Sequence, residues 1–268
     1  MPGIKLAVIG SPVSHSLSPV IHGRFARACG IDIEYQKLEV TRGTLGDFIA
    51  RAGEEGFRGF NVTMPLKEAV IPYLAELDGI ARECGAVNTV VLREGGLYGC
   101  NTDGLGVART LKNALPELRG KSALILGGGG ASKAAAAALR RVGVSVALLT
   151  REKGGESLPW DKLTRLAETS DIIINATPLG MDRGAGTVEF PGFSWLDALK
   201  PGAAVFDAVY KPRETLLLAA ARRRGLAALG GLGMLIYQAE EAFRLFTGKT
   251  PPADAAPLVK EDLREWTN

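Results

Sequence analysis

An α/β fold in two α/β domains is what this sequence predicts, and three observations carry the reading. Strand-like apolar runs alternate with helix-like stretches along the chain, with short loops between them, the pattern of mostly parallel sheets covered by helices. One of those runs, Leu124-Ile125-Leu126, stops at Gly127-Gly128-Gly129-Gly130 and passes at once into Ala131-Ser132-Lys133 and the alanine-rich stretch Ala134–Leu139. The length, 268 residues, suits about two domains.

Taken in order, Leu6–Ile9 is an apolar run ended by Gly10, a first strand. Ser11-Pro12-Val13-Ser14-His15-Ser16-Leu17 is a polar loop, and Ser18 followed by Pro19 reads as a helix N-cap and first helical position. Val20–Cys29 is the helix, stopped by Gly30. Glu34–Val40 is a second strand, Thr44–Ala52 a second helix, and Phe57–Val62 a third strand that runs into Thr63-Met64-Pro65-Leu66-Lys67. Helical segments broken by Pro72 are expected between Lys67 and Glu83. Val87–Leu92 and Leu97–Cys100 flank Glu94-Gly95-Gly96, a hairpin signal that adds antiparallel pairing to the first sheet. Asp103–Leu115 reads as a helix joining two sheets.

The second sheet has strands near residues 121–126, 144–149, 171–175, 203–207 and 226–229, with helices between them. Leu232–Phe246 and Ala255–Trp266 are late helices expected to pack back on the first domain. The expected division is therefore residues 1–103 with helices from 238–268, and residues 104–237, facing each other across a cleft.

Bulk composition excludes several classes. Net charge is +3, from 32 basic and 29 acidic residues that are intermixed, so there is no basic stripe for nucleic acid. No apolar run reaches membrane-spanning length, and the start leads directly into a strand with no signal peptide. Cys29, Cys84 and Cys100 are odd in number and lack CxxC spacing, so reduced, mostly buried thiols in a cytoplasmic protein are expected. With only His15 and His22 available, a histidine-based or structural metal site is not expected. Both monomer and homodimer remain open.

The glycine turn carries the first functional signal. A strand that turns tightly into a helix presents free N–H groups and the positive end of the helix dipole, which suits a pyrophosphate. Gly127 and Gly129 fit two places of the dinucleotide fingerprint and Ser132 holds the third, so a plain tight turn remains the rival reading. The next strand, Val144–Leu149, ends in Thr150-Arg151 where an NAD site would carry an acidic residue. A guanidinium pairs with a 2′-phosphate, so NADP is favoured over NAD, against a solvated loop charge beside Glu152.

The reactive candidates gather in the loops of the first domain: Ser14, Ser16, Thr63, Lys67, Asn88 and Asp103. Ligands of open α/β sheets bind outside the carboxyl ends of the strands. Hydroxyls, an amide, an ammonium and a carboxylate there suit a polyhydroxylated, negatively charged small molecule. Beside a dinucleotide domain, such a sheet points to hydride transfer. Asp103 also reads as a helix cap, Lys67 as a solvated charge, Thr63 as a strand end and Asn88 as a turn residue.

Ser14-His15-Ser16-Leu17-Ser18-Pro19 resembles the opening signature of shikimate dehydrogenases. Asn61-Val62-Thr63-Met64-Pro65-Leu66-Lys67, Ala86-Val87-Asn88-Thr89 and Asn101-Thr102-Asp103-Gly104 are similar to further motifs of that family. Gly127–Ser132, Thr150-Arg151, Asn175-Ala176-Thr177-Pro178-Leu179-Gly180-Met181, Asp207-Ala208-Val209-Tyr210 and Gly231-Leu232-Gly233-Met234-Leu235 with Gln238 complete an ordered set over nearly the whole chain. Gly23, where Asn is common, and Glu152, where Thr is frequent, depart from it.

The resemblance implies NADPH-dependent reduction of 3-dehydroshikimate to shikimate in the route to aromatic amino acids. It implies an N-terminal substrate domain and a Rossmann-like NADP-binding domain. Ser14 and Ser16 would hold the substrate carboxylate, and Thr63, Asn88 and Gln238 its carboxylate or hydroxyls. Lys67 and Asp103 would form the catalytic pair. Gly127, Gly128, Gly129, Gly130, Ala131 and Ser132 would carry the pyrophosphate, with Thr150 and Arg151 at the 2′-phosphate and Thr177, Gly231 and Met234 on the nicotinamide side. The physics agrees on Lys67: hydride delivery to a ketone develops alkoxide charge that needs a proton or cation, and Asp103 can orient the ammonium, with His15 as the rival acid. A quinate/shikimate dehydrogenase using NAD and a silent NADPH-binding protein are the competing functions.

Overall fold

The computed structural model describes residues 3–150, 159–182 and 188–263, and the chain there divides into two compact units. The first comprises the chain up to Asp103 together with Ile236–Glu261; the second comprises Gly104–Leu235 and, past the first unit's end, Asp262 and Leu263.

In the first unit, β1 (Ile4–Gly10), α1 (Ser18–Ala28), β2 (Ile33–Glu39), α2 (Leu45–Ala52) and β3 (Phe57–Val62) alternate, as the apolar runs predict. Then follow β4 (Glu76–Leu77), α3 (Gly79–Cys84), β5 (Thr89–Arg93) and β6 (Gly96–Cys100). The strand order is β2-β1-β3-β5-β6-β4. β1 pairs in parallel with β2 and β3, while β5 and β6 form the expected antiparallel hairpin.

Two local expectations are corrected. The stretch between Lys67 and Glu83 is helical only in part: a 3-10 turn covers Ile71–Tyr73 and α3 starts at Gly79, but between them β4 pairs in parallel with Tyr98 and Gly99. Two residues carry no readable periodicity, so this edge strand exists through its partner and not through its own pattern. Ser18 is not the N-cap of α1; Leu17 takes that position and Ser18 is the first helical residue. Its hydroxyl is engaged by Ser16 instead of by the helix's own N–H groups.

α4 (Asp103–Ala114) starts on a residue of the first unit and lies otherwise in the second, which continues through β7 (Ser122–Leu126), α5 (Gly130–Arg141), β8 (Ser145–Leu149), α6 (Leu163–Glu168) and β9 (Ile172–Asn175). β10 (Ala204–Asp207), α7 (Leu216–Arg223) and β11 (Ala227–Gly230) complete it. All five strands pair in parallel in the order β11-β10-β9-β7-β8. β9 and β10 are buried at every position and read as near-continuous apolar runs, which is what helices on both faces require. α8 (Leu232–Thr247) and α9 (Ala255–Asp262) follow. In the first unit, Ala242 and Phe246 of α8 close over Leu6 and Val91 of the sheet. Truncating a buried phenylalanine such as Phe246, 1% exposed, to alanine costs about 3–5 kcal/mol.

Candidate active site

The loops that follow β1 and β3 are joined at their bases. Gly10 ends β1, and a Cβ there would overlap the Thr63 methyl and lie 2.8 Å from the Met64 carbonyl oxygen. Only glycine lets the two loops approach so closely. The Ser11 N–H donates to that Met64 carbonyl at 3.0 Å. Beyond it, the Lys37 ammonium donates to the Ser14 carbonyl at 2.6 Å, and Glu39 accepts from the Val13 N–H at 3.2 Å. Ser14 and His15 are exposed and Ser16 is half-buried.

Lys67 and Asp103 meet. The Lys67 ammonium donates to Asp103 Oδ2 at 2.6 Å, with side chains 20% and 8% exposed. Leu66, fully buried, anchors the loop, and the Lys67 carbonyl accepts from the Val87 N–H at 2.8 Å, which ties it to the entrance of β5. Asp103 is the first residue of α4, and its N–H donates to Asn101 Oδ1 at 3.0 Å. Its second oxygen, Oδ1, accepts from Asn88 Nδ2 at 2.8 Å. A charge-assisted bond this short, on a side chain partly open to solvent, keeps an ammonium in one place while leaving its remaining hydrogens available.

Asn88, 3% exposed, also lies within 3.4 Å of Gln238 Oε1 on α8. Thr102 donates to the same glutamine oxygen at 3.4 Å. Lys67, Asn88, Asp103 and Gln238, read separately from distant parts of the sequence, are therefore neighbours within the first unit. Thr63 stands at the end of β3, where its N–H donates to the Ile9 carbonyl at 2.9 Å.

In the second unit the glycine turn lies where expected. Gly127 has φ +115°, and a Cβ on it would lie 2.8 Å from Ser132 Oγ and 3.1 Å from the Ala176 carbonyl oxygen. α5 begins at Gly130, and its N-cap Gly129 supplies no side-chain bond to the helix N–H groups. Around Gly129 a Cβ would meet nothing within 4 Å, so the turn is open to an approaching group. Ser132 is fully buried and its hydroxyl has no hydrogen-bond partner. An uncapped helix N-terminus, an open glycine and an orphaned hydroxyl fit a phosphate group. Gly128 and Ala131 complete that turn, and Thr150 follows β8, its methyl 3.1 Å from where a Cβ of Gly128 would stand. Arg151 lies outside the described residues.

Thr177 is held by two bonds to Asn175 Oδ1, at 3.0 Å from its N–H and 2.6 Å from its hydroxyl. Gly231 packs against the Ala208–Val209 backbone, and Met234, 9% exposed, sits in the apolar core with Ile125, Ile174 and Phe206. Beneath this loop Asp207 is fully buried. Burial pushes its carboxyl up to about 6, against hydrogen bonds from Thr215, the Val209 N–H and Asn175.

Two family models and several relatives match these elements. The model of the shikimate dehydrogenase substrate binding domain matches residues 8–90, and that of the shikimate 5'-dehydrogenase C-terminal domain matches residues 231–256. A shikimate dehydrogenase (NADP(+)) of Moorella thermoacetica is 41% identical, covering 97% of this chain and 92% of its own. That of Rubrobacter xylanophilus is 44% identical, with 93% of each chain covered. The chain belongs to the shikimate dehydrogenase family. Among solved structures, shikimate 5-dehydrogenase of Thermus thermophilus in complex with NADP(H) and shikimate superposes with a TM-score of 0.80 at 33% identity, covering 97% of this chain and 99% of that one.

Several polar residues have no role legible in the sequence. Asn61, Thr89 and Thr102 lie around Asn88, with Tyr35 bonded to Asn61 beyond them, and Asn175, Asp207 and Thr215 lie beneath Thr177. Asn61 and Asn175 stand inside motifs the family shares, but nothing in their spacing announces a partner. The one available signal was a polar residue inside an apolar strand, which has to be satisfied across the sheet.

Proposed function

We propose that this protein is an NADP-dependent shikimate dehydrogenase that reversibly reduces 3-dehydroshikimate to shikimate. The observation that carries the proposal is the 2.6 Å Lys67–Asp103 pair with Asn88 and Gln238 beside it, in the unit that matches the family's substrate binding domain. The first unit is the substrate domain and the second a Rossmann-like cofactor domain, a reading supported by its all-parallel sheet and open glycine turn.

When bound, NADPH supplies hydride to the carbonyl carbon. Lys67 holds a proton beside the oxygen on which negative charge develops and passes it on as the alcohol forms. Asp103 holds that ammonium in place. Running the reaction backward, neutral Lys67 takes the hydroxyl proton. Ser14 and Ser16 bind the substrate carboxylate with their hydroxyls, and Thr63, Asn88 and Gln238 bind its carboxylate or hydroxyls. Gly127–Ser132 hold the pyrophosphate, Thr150 and Arg151 the 2′-phosphate, and Thr177, Gly231 and Met234 the nicotinamide side. The setting is cytoplasmic, in the supply of aromatic amino acids.

The test is to mix purified protein with shikimate or quinate and with NADP or NAD, and to follow reduced nicotinamide. Fast turnover only with shikimate and NADP is the expected result. Comparable rates with quinate or NAD would move the protein to a broader dehydrogenase, and no turnover with NADPH still binding would make it a silent binder.

A further inference from the structure

Behind the Lys67–Asp103 pair a line of polar side chains runs through Asn88 to Tyr35, Asn61 and Thr89, which the proposed chemistry does not use. Tyr35, on β2, donates its phenol hydrogen to Asn61 Oδ1 at 2.6 Å. Asn61 Nδ2 donates to Thr89 Oγ1 at 3.1 Å. The Thr89 hydroxyl donates to Asn88 Oδ1 at 2.9 Å, and Asn88 Nδ2 donates to Asp103 Oδ1 at 2.8 Å. Every bond points the same way, toward the carboxylate that holds Lys67.

Two backbone groups fix that direction. Asn61 Nδ2 also donates to the Asn88 carbonyl at 3.2 Å, and a carbonyl can only accept. Asn88 Oδ1 also accepts from the Thr102 N–H at 2.9 Å, and an N–H can only donate. Both amides are thereby locked, so Thr89 has to accept from Asn61 and donate to Asn88. Thr89 is fully buried, Asn88 3% exposed and Asn61 7%, so water does not offer a cheap substitute. Hydrogen bonds lined up in this way polarise one another. At its far end the line reaches the loop after β1: Ser18 hydrogen-bonds the Tyr35 phenol, and Ser16 donates to Ser18 at 3.1 Å.

We propose that Thr89 and Tyr35 are positioning residues: they hold the Asn88 amide with its N–H toward Asp103 and so set the geometry of the Lys67–Asp103 pair. The inference rests on the dehydrogenase reading above. Thr89→Val is a near-isosteric probe, because Asn61 keeps the Asn88 carbonyl and Asn88 keeps the Thr102 N–H as partners. The fold is retained while the orienting bond is lost.

Steady-state kinetics with shikimate and NADP test it, with circular dichroism confirming each variant's fold. Thr89→Val should lower kcat about five- to tenfold, the worth of one buried hydrogen bond, with both KM values within about twofold of the parent. Thr89→Ser, which keeps the hydroxyl, should restore kcat, and Tyr35→Phe, two links further from Asp103, should lower it less. In an Asn88→Ala background the Thr89→Val loss should disappear, since there is no amide left to orient. An unchanged kcat in Thr89→Val, no rescue by serine, or a full additive loss in the Asn88→Ala background would each overturn the proposal. Wild-type turnover separates the two readings: without it the dehydrogenase reading falls and takes this inference with it, whereas normal turnover matched by Thr89→Val sinks only the inference.

Discussion

The two sheets begin alike, with β2-β1-β3 in the first unit and β8-β7-β9 in the second. In both, the chain leaves the central first strand where the strand order reverses, the position at which open α/β sheets bind ligands. The loops there are equipped differently. The first unit offers side chains: hydroxyls of Ser14 and Ser16, the Lys67 ammonium, the Asn88 amide and the Asp103 carboxylate. The second offers backbone, with Gly127 at φ +115° and an α5 N-terminus that no side chain caps. Side chains can discriminate one small molecule from another, but each must be held by buried partners. Backbone N–H groups need only the absence of a Cβ, and they suit a phosphate that many proteins share.

The two units also bury opposite kinds of titratable group. In the first, His22 is fully buried, stacked on Tyr35 at 4.6 Å, with neither ring nitrogen hydrogen-bonded. Burial pushes it down to about 3. In the second, burial pushes Asp207 up to about 6. Acid therefore works against one unit and in favour of the other.

The sharpest way to break the comparison is Lys67→Ala. If the first unit acts through side chains, kcat should fall about 10²–10⁴-fold while the KM for shikimate changes little, and near-normal turnover would remove Lys67 as the acid.

Next in size is the pH dependence of His22. Its folded-state value lies below the ordinary 6.5, so the stability it allows is fully present above pH 6.5 and drains away as pH falls toward about 3. Near pH 5 the loss is about 2 kcal/mol. Urea unfolding between neutral and mildly acidic pH should show this slope in the wild type and a flatter one in His22→Leu. Equal slopes would mean that the ring finds a partner on protonation.

Smaller still is Arg151→Ala, expected to raise the KM for NADP about tenfold and leave that for NAD nearly unchanged, the worth of a charge-assisted bond to phosphate. An unchanged NADP KM would put the 2′-phosphate elsewhere.

Last comes Asp207→Asn, whose effect lies in the pH profile of stability and not in activity. Asp207 is raised above its ordinary 3.8, so its contribution is fully present below pH 3.8 and is lost as pH rises through about 6. Asparagine can keep the accepted bonds of Asn175 and Val209 and donate to Thr215. The variant should lose that pH dependence, worth about 1 kcal/mol per pH unit across the window, and fold normally. A marked loss of stability at neutral pH would show that the carboxylate, and not merely its shape, is required.

The readable part of this protein was local. Apolar runs located the described strands of the second sheet: β7, β9 and β10 because a buried parallel strand is apolar nearly throughout, and the more exposed edge strands β8 and β11 because their residues are apolar all the same. The glycine turn was equally plain, since positive φ and close approach leave few residue choices. β4 was missed because two residues, Glu76 and Leu77, become a strand only by pairing with β6. Ser18 looked like a cap because its neighbours fit one, yet its hydroxyl is drawn to Ser16 and Tyr35.

Local pattern alone set most of the elements, the glycine cradle and the set of reactive residue types. Which of those residues meet was decided by tertiary structure alone. Lys67 and Asp103 are 36 positions apart, Asn88 and Gln238 are 150 apart, and Tyr35 reaches Asn61 only because β2, β1 and β3 lie side by side. A helix or strand follows from short-range periodicity, but a hydrogen bond between distant loops follows from strand order, and strand order is set by how two apolar faces pack.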